Sequence, residues 1–414
     1  MVSTRPSRAP ADVSRVSTGI VLSGGGARGA YEAGVIAGLM EVLRPTRAPF
    51  DVLCGTSVGA LNAAYLASHA HLPDMGAPGL ISQWQALELS RHLKLDMRGL
   101  LGWKREWTGE LTDYAAHLRY RSRQVGRSLL NPRAIDELVS SAIPWDKLHE
   151  NIAQGTVRAL IMAALHIGSG STTLFAETTP GLSFKFSRDP RRTPHVGVIG
   201  SDHVLASAAI PLLFPARRIG DDYYCDGGVR YNTPISPAIR AGAQRLVVVS
   251  LLSDAEEEDD DTPLEQRLLA YRSPVFLIGK VLNALLLDPL DYDLQVLDRF
   301  NRLLDTLEVA LSPLEMQRVH EVLEETRGSA YRKVQTLVFR PSKDIGSLAR
   351  RRARGINSSM FSSWFLARTA TLGAIWESDL LSFILFDSEF AHELIQLGRD
   401  DTLRRADEIR AFFA

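Results

Sequence analysis

Cysteine is scarce: Cys54 and Cys225 are the two present in 414 residues, too few for the disulfide framework that holds small secreted domains together. No run of about 18 apolar residues exists, so no segment reads as a membrane-spanning helix. The nearest approach, Phe276 to Leu287, is interrupted by Lys280. Residues 1–17 hold arginines but no apolar stretch of the signal-peptide kind, and read as a disordered polar tail. A formal charge of −1 lacks the basic excess expected of a nucleic-acid partner. Collagen-like bias and internal repeats are missing too. These absences predict a cytoplasmic protein, for which any attraction to a membrane would be local and peripheral, at the inner face.

What is present is 45% hydrophobic and 23% charged, enough for a large core and more than one subdomain. The most informative stretch is Gly55-Thr56-Ser57-Val58-Gly59. An apolar run, Phe50 to Cys54, precedes it and a helical pattern, Ala60 to Leu66, follows. A serine at such a turn is held out over the helix N-terminus with its Oγ exposed, and Gly55 and Gly59 permit the close helix–strand approach; the pattern is a nucleophile elbow. An ordinary strand-to-helix turn is the competing reading.

Upstream, Thr18 to Leu22 reads as a buried strand running into Ser23-Gly24-Gly25-Gly26-Ala27-Arg28-Gly29. An apolar stripe at Tyr31, Val35, Ile36, Leu39, Met40 and Leu43 then predicts a helix that stops before Pro45. Amides at a glycine-rich helix start can bind an anion, either a standing phosphate or a transient oxyanion. Gly24-x-Gly26-x-x-Gly29 also matches a dinucleotide fingerprint. However, Asp51 begins the second apolar run where the fingerprint wants an acid at its end, and the elbow is left unexplained. No Gly-Lys-Ser or Gly-Lys-Thr closes the loop as a Walker motif. The residues favour the oxyanion use, with a dinucleotide-binding oxidoreductase kept as the alternative.

A serine nucleophile needs a proton acceptor. His320 and His392, the histidines that follow the acidic candidate, sit in helical patterns with no loop signal. Asp226, in Tyr223-Tyr224-Cys225-Asp226-Gly227-Gly228-Val229, follows a strand-like run and precedes two glycines, which exposes its carboxylate at a turn. Asp-Gly-Gly is also common in plain hairpins.

Together the three segments resemble the patatin-like phospholipase family: a glycine-rich loop (Gly24 to Gly29), a Gly-x-Ser-x-Gly elbow (Gly55 to Gly59) and an Asp-Gly-Gly turn (Asp226 to Gly228), in that order. Ala206 to Pro215 and Asn232-Thr233-Pro234 resemble further family signatures. The resemblance implies a three-layer α/β fold with a largely parallel central sheet. It also implies a Ser/Asp dyad without histidine, Ser57 as nucleophile and Asp226 as base. Gly24, Gly25, Gly26, Arg28 and Gly29 would form the oxyanion site, with Gly227 and Gly228 shaping the turn. Phospholipid or another lipid ester is then the substrate, with neither cofactor nor metal. A non-catalytic lipid-binding module is the alternative outside enzymes.

The expected organisation is a catalytic core over 18–254, an acidic linker over 255–262, a helical insertion over 263–333, a returning strand of the core over 334–345 and a C-terminal helical extension over 346–414. Residues 69–127, with Trp84, Trp103 and Trp107, read as a mostly helical cap. Ala159 to Leu165, Thr172 to Ala176, Arg245 to Leu251 and Thr336 to Arg340 read as further strands. The acidic run could bind a metal but reads better as a solvated linker. The apolar face at Val275 to Leu286 reads first as core, with a lipid-facing lid as the alternative. Arg350 to Arg354 could touch lipid headgroups or be solvated. Contact between Ser57 and Asp226 would also bring Cys54 close to Cys225.

Overall fold

A computed structural model describes residues 16–87, 124–125, 133–182, 189–211, 213–253, 290–327, 332–355 and 378–414, with scattered positions between 265 and 284. β1 (Thr18–Leu22) leads through a 3-10 turn, Gly26–Gly29, into α1 (Ala30–Leu43). β2 (Val52–Thr56), α2 (Val58–Ser68), α3 (Ala77–Gln85), β3 (Gln124–Val125), α4 (Arg133–Ala142) and α5 (Trp145–Gln154) follow. Next come β4 (Ala159–His166), β5 (Thr172–Thr178), β6 (Arg192–Val196), α6 (Ser201–Ser207), β7 (Ala216–Ile219), β8 (Asp222–Asp226), a 3-10 turn at Gly227–Val229, α7 (Ile235–Arg240) and β9 (Arg245–Val249). The chain then forms α8 (Leu290–Ala310), α9 (Pro313–Arg327), β10 (Gln335–Phe339), α10 (Ile345–Gly355), α11 (Ser378–Ile384), α12 (Ser388–Leu403) and α13 (Ala406–Phe413).

β1 and β2 are buried at every residue, as continuous apolar runs in a parallel sheet covered on both faces should be. Five strands are parallel in the order β10-β9-β1-β2-β4. Alternate residues then point to two separate cores. Ile20, Leu22, Leu53, Val247 and Val249 face α1, α2 and α12. Val21, Val52, Leu246 and Val248 face α7 and the start of α8. The result is a three-layer α/β fold with a largely parallel sheet and a tail of C-terminal helices.

β4 organises the rest. β5 runs antiparallel to it along residues 159–165, occupying one whole edge. β2 pairs with residues 159–163 and β8 with residues 164–166, so these two strands share the other edge. They run in opposite directions and meet tip to tip, with Thr56 opposite Ala163 and Asp226 opposite Ala164.

That arrangement corrects the expectation for the cysteines. Cys54 lies opposite Ile161 and Cys225 opposite Leu165, so four residues of β4 separate them, about 13 Å of strand. A disulfide needs Cα atoms within about 7 Å. The strand tips meet while the residues behind them point away from the junction. Both thiols are free and buried. Burial pushes the Cys225 thiol up to about 12 and raises that of Cys54 as well, so neither supplies a thiolate near neutral pH.

Strands β6 and β7 have no counterpart in the sequence reading; β6 is largely exposed, with a Pro-His interior that lacks the buried-strand pattern. The cap region contributes α3 and the two-residue strand β3, which pairs with β7, where no strand was expected; its residues 88–123 and 126–127, Trp103 and Trp107 included, lie outside the described residues. So do residues 1–15, the acidic run and most of Phe276 to Leu287, where Leu277, Lys280, Val281, Asn283 and Ala284 are described. Of the basic cluster, Arg352 is tied within the fold, its Nε donating to Asp387 Oδ1 at 2.8 Å. Among the described residues no helix is long and apolar enough to cross a membrane.

The C-terminal extension is fastened by α12 packing on α1 at close range. A Cβ built on Gly34 would stand 2.1 Å from the Ile395 carbonyl oxygen, a backbone atom that cannot step aside. Gly34→Ala should therefore lower unfolding free energy by about 1–3 kcal/mol through overpacking. Urea unfolding measures this, and an unchanged midpoint would show that α12 is not held so tightly.

Candidate active site

Ser57 stands at the junction of β2 and α2 with φ 56° and ψ −126°, a conformation costing a non-glycine residue about 1–3 kcal/mol. Three groups hold it there. Its N–H donates to Ser207 Oγ at 2.9 Å, and the Ser207 hydroxyl donates in turn to the Ala163 carbonyl at 2.6 Å. Gly59 brings α2 against the end of β1, since a Cβ there would be 2.3 Å from the Leu22 carbonyl oxygen. Gly55 stands in β2 opposite Met162.

From β8, Asp226 reaches the same point. The Ser57 hydroxyl donates to Asp226 Oδ2 at 2.6 Å. Asp226 Oδ1 accepts from the Gly228 N–H at 2.7 Å, and the Asp226 N–H donates to the Ala209 carbonyl at 2.9 Å. Gly227 packs against the Ala163 carbonyl, where a Cβ would come within 2.2 Å. Complete burial pushes the Asp226 carboxyl up to about 7, against the smaller lowering effect of the hydrogen bonds from Ser57 and Gly228.

The glycine loop lies beside the pair. The Gly24 N–H donates to Asn232 Oδ1 at 2.8 Å, and a Cβ on Gly24 would stand 2.9 Å from Ser57 Cβ. Ser23 and Thr233 hydroxyls are 3.1 Å apart. The Gly25 carbonyl accepts from the Arg28 N–H at 3.2 Å, and the Gly29 carbonyl accepts from Asn62 Nδ2 at 3.2 Å. Gly26 lines the same cavity as Ser57. The Arg28 side chain is buried and turned toward the C-terminal extension, donating from Nε to Ser382 Oγ at 2.7 Å.

A cavity open to solvent adjoins Ser57, with Val58, Leu61, Trp84, Leu205 and Phe386 among its apolar walls. Arg217 also lines it and is paired with Asp136. Trp84 Nε1 donates to Asn62 Oδ1 at 3.1 Å, and Asn62 Nδ2 donates to Glu32 Oε2 at 2.8 Å. Burial raises the Glu32 carboxyl well above its usual range. Among the described residues no cluster of His, Cys, Asp and Glu could hold a metal ion.

His392 is exposed on α12 with Nδ1 3.1 Å from Gln85 Nε2, and His320 lies on α9; neither is brought to Ser57. Asp51 is tied to the start of β1, accepting from the Thr18 N–H at 2.9 Å, at the opposite end of β2 from the glycine loop. Ser207, Asn232, Asn62 and Ser382 were not assigned roles from sequence. The first two fall in segments already singled out, yet nothing in a linear chain reveals which backbone group each would meet.

Fold and site define a class: an α/β protein whose elbow serine is paired with a carboxylate beside a glycine-rich loop. The family model described as patatin-like phospholipase matches residues 20–239, and the chain belongs to that family. One relative, a cGAMP-activated phospholipase of Pseudomonas aeruginosa (strain BWHPSA011 / Pa011), is 28% identical over 223 residues, covering 52% of this chain and 53% of the relative. The chain thus spans about half the length of that relative. VipD from Legionella pneumophila covers 65% of this chain and 55% of its own at 14% identity, with a TM-score of 0.29, too loose a likeness to argue from.

The raised carboxyl sets a pH dependence. Asp226 can accept the Ser57 proton once ionised, so labelling of Ser57 by a fluorophosphonate should rise about tenfold per pH unit below about 7 and level off above. Stability runs the other way: a folded value above the unfolded one gives stability that is present below about 4 and lost as pH rises through about 7. Asp226→Asn should therefore melt higher than the parent at about pH 8. A labelling rate flat between about pH 5 and 9 would show that Asp226 does not control Ser57.

Proposed function

We propose that the protein is a serine acyl hydrolase cleaving fatty acyl esters of phospholipids or related lipids, with Ser57 as nucleophile and Asp226 as base. The observation that carries this reading is the 2.6 Å hydrogen bond from Ser57 Oγ to Asp226 at the wall of an apolar cavity. Ionised Asp226 takes the hydroxyl proton as Oγ attacks the ester carbonyl. The developing oxyanion is stabilised by backbone N–H groups of the glycine loop, for which we propose Gly25 and Gly26, since the Gly24 N–H already donates to Asn232. Asp226 returns the proton to the departing alcohol, leaving Ser57 acylated. Water, giving its proton to Asp226, then attacks the acyl-enzyme, and the fatty acid leaves with Ser57 restored.

Membership of a phospholipase family and the apolar lining support a lipid ester over a small polar one. We read residues 18–254 with the returning strand as the catalytic body, and the insertion between β9 and β10 as the element that meets the lipid surface. Leu277 and Val281 there are 52% and 56% exposed. A dinucleotide is disfavoured by the position of Asp51.

Ser57→Ala and Asp226→Asn should each lower turnover of phospholipid vesicles by up to about a millionfold, as comparable knockouts do. Mass spectrometry of the released fatty acids and lysolipids measures the loss. Near-parental turnover by Asp226→Asn would remove the dyad, and an unreactive Ser57 would favour an idle lipid-binding module.

A further inference from the structure

The family match ends at residue 239, yet the glycine loop is gripped by side chains far beyond it. Arg28 Nε donates to Ser382 Oγ at 2.7 Å, and both residues are buried. The Arg28 guanidinium lies 4.5 Å from the centroid of the Phe383 ring, within cation–π range. The Phe383 carbonyl oxygen occupies the place next to Gly26, where a Cβ would approach to 2.2 Å. Four residues on from Ser382, Phe386 stacks on Trp84 with 6.4 Å between centroids and 10° between planes, and both rings line the cavity that holds Ser57.

These contacts converge on the two parts of the site that an ester would touch, the loop and the cavity wall. We propose that the C-terminal extension is a working part of the active site: Ser382 is a positioning residue that sets the glycine loop through Arg28, and Phe386 with Trp84 determines which acyl chains fit. The proposal rests on the acyl hydrolase reading.

The physical argument is one of distance. Removing the Ser382 hydroxyl takes away one of the contacts that tie the buried Arg28, and with it the glycine loop, to α11, and the loop is expected to relax from its set position. A displacement of about 1 Å at an oxyanion site lowers rate about a hundredfold. Substrate binding depends on the cavity, which Ser382 does not line, so the loss should fall on kcat.

The test is steady-state kinetics of the full chain on nitrophenyl butyrate, octanoate and palmitate, with fluorophosphonate labelling of Ser57 and melting temperature measured in parallel. Ser382→Ala is expected to lower kcat about ten- to a hundredfold with KM little changed, and Ser382→Thr, which keeps the hydroxyl, to restore it. Phe386→Leu is expected to shift kcat/KM toward the longer chain at least several-fold. The inference is overturned if Ser382→Ala keeps parental kcat, if Ser382→Thr loses as much as Ser382→Ala, or if Phe386→Leu leaves chain preference unchanged. Those failures occur with a parent that labels and turns over. A parent that does neither removes the hydrolase reading itself and this inference with it.

Discussion

Two strands share one edge of β4 and meet head to head, and the candidate site exists because they do. β2 ends opposite Ala163 and β8 ends opposite Ala164, so residues 169 positions apart in sequence arrive at one point in space. Where two tips meet, the regular ladder is interrupted, and backbone groups there need other partners. The Ala163 carbonyl finds one in Ser207, whose oxygen also accepts the Ser57 N–H. One side chain thus completes the interrupted edge and fixes the strained serine.

The same placement is costly. Asp226 is buried and its carboxyl is raised from 3.8 to about 7, a shift on the order of 4 kcal/mol against ionisation. The backbone of Ser57 adds about 1–3 kcal/mol of strain. The raised value already includes the lowering effect of the hydrogen bonds from Ser57 and Gly228, so what remains is carried by the rest of the fold, the apolar layers on either face of the sheet included. What the burial brings is a carboxyl whose ionisation falls near neutrality and whose oxygen already faces the Ser57 hydroxyl.

Much of this was legible in the chain. Strand, turn and helix signals around Ser57 are local, and so are the glycines at 24 to 29 and the turn after Asp226; local signals survive in a sequence because they answer to backbone geometry at neighbouring residues. The junction on β4 was not legible, since it depends on which edge each strand takes. For that reason the cysteines were expected near one another, when the strands in fact approach from opposite directions. Asn232 binding the Gly24 backbone and Ser382 binding Arg28 are contacts across 208 and 354 positions. The segment around Asn232 stood out by resemblance but its partner did not, and Ser382 looks like any surface serine until the fold is known.

The central claim is that Ser57, activated by Asp226, carries the acyl group between ester and water. The most direct measurement is the mass of the intact protein quenched in acid within seconds of mixing with a long-chain nitrophenyl ester, followed by peptide mapping. The account predicts an added acyl mass on the peptide containing Ser57, accumulating in the parent and absent in Asp226→Asn. An acyl group mapped to another residue, or equal acylation with and without the Asp226 carboxylate, would contradict it.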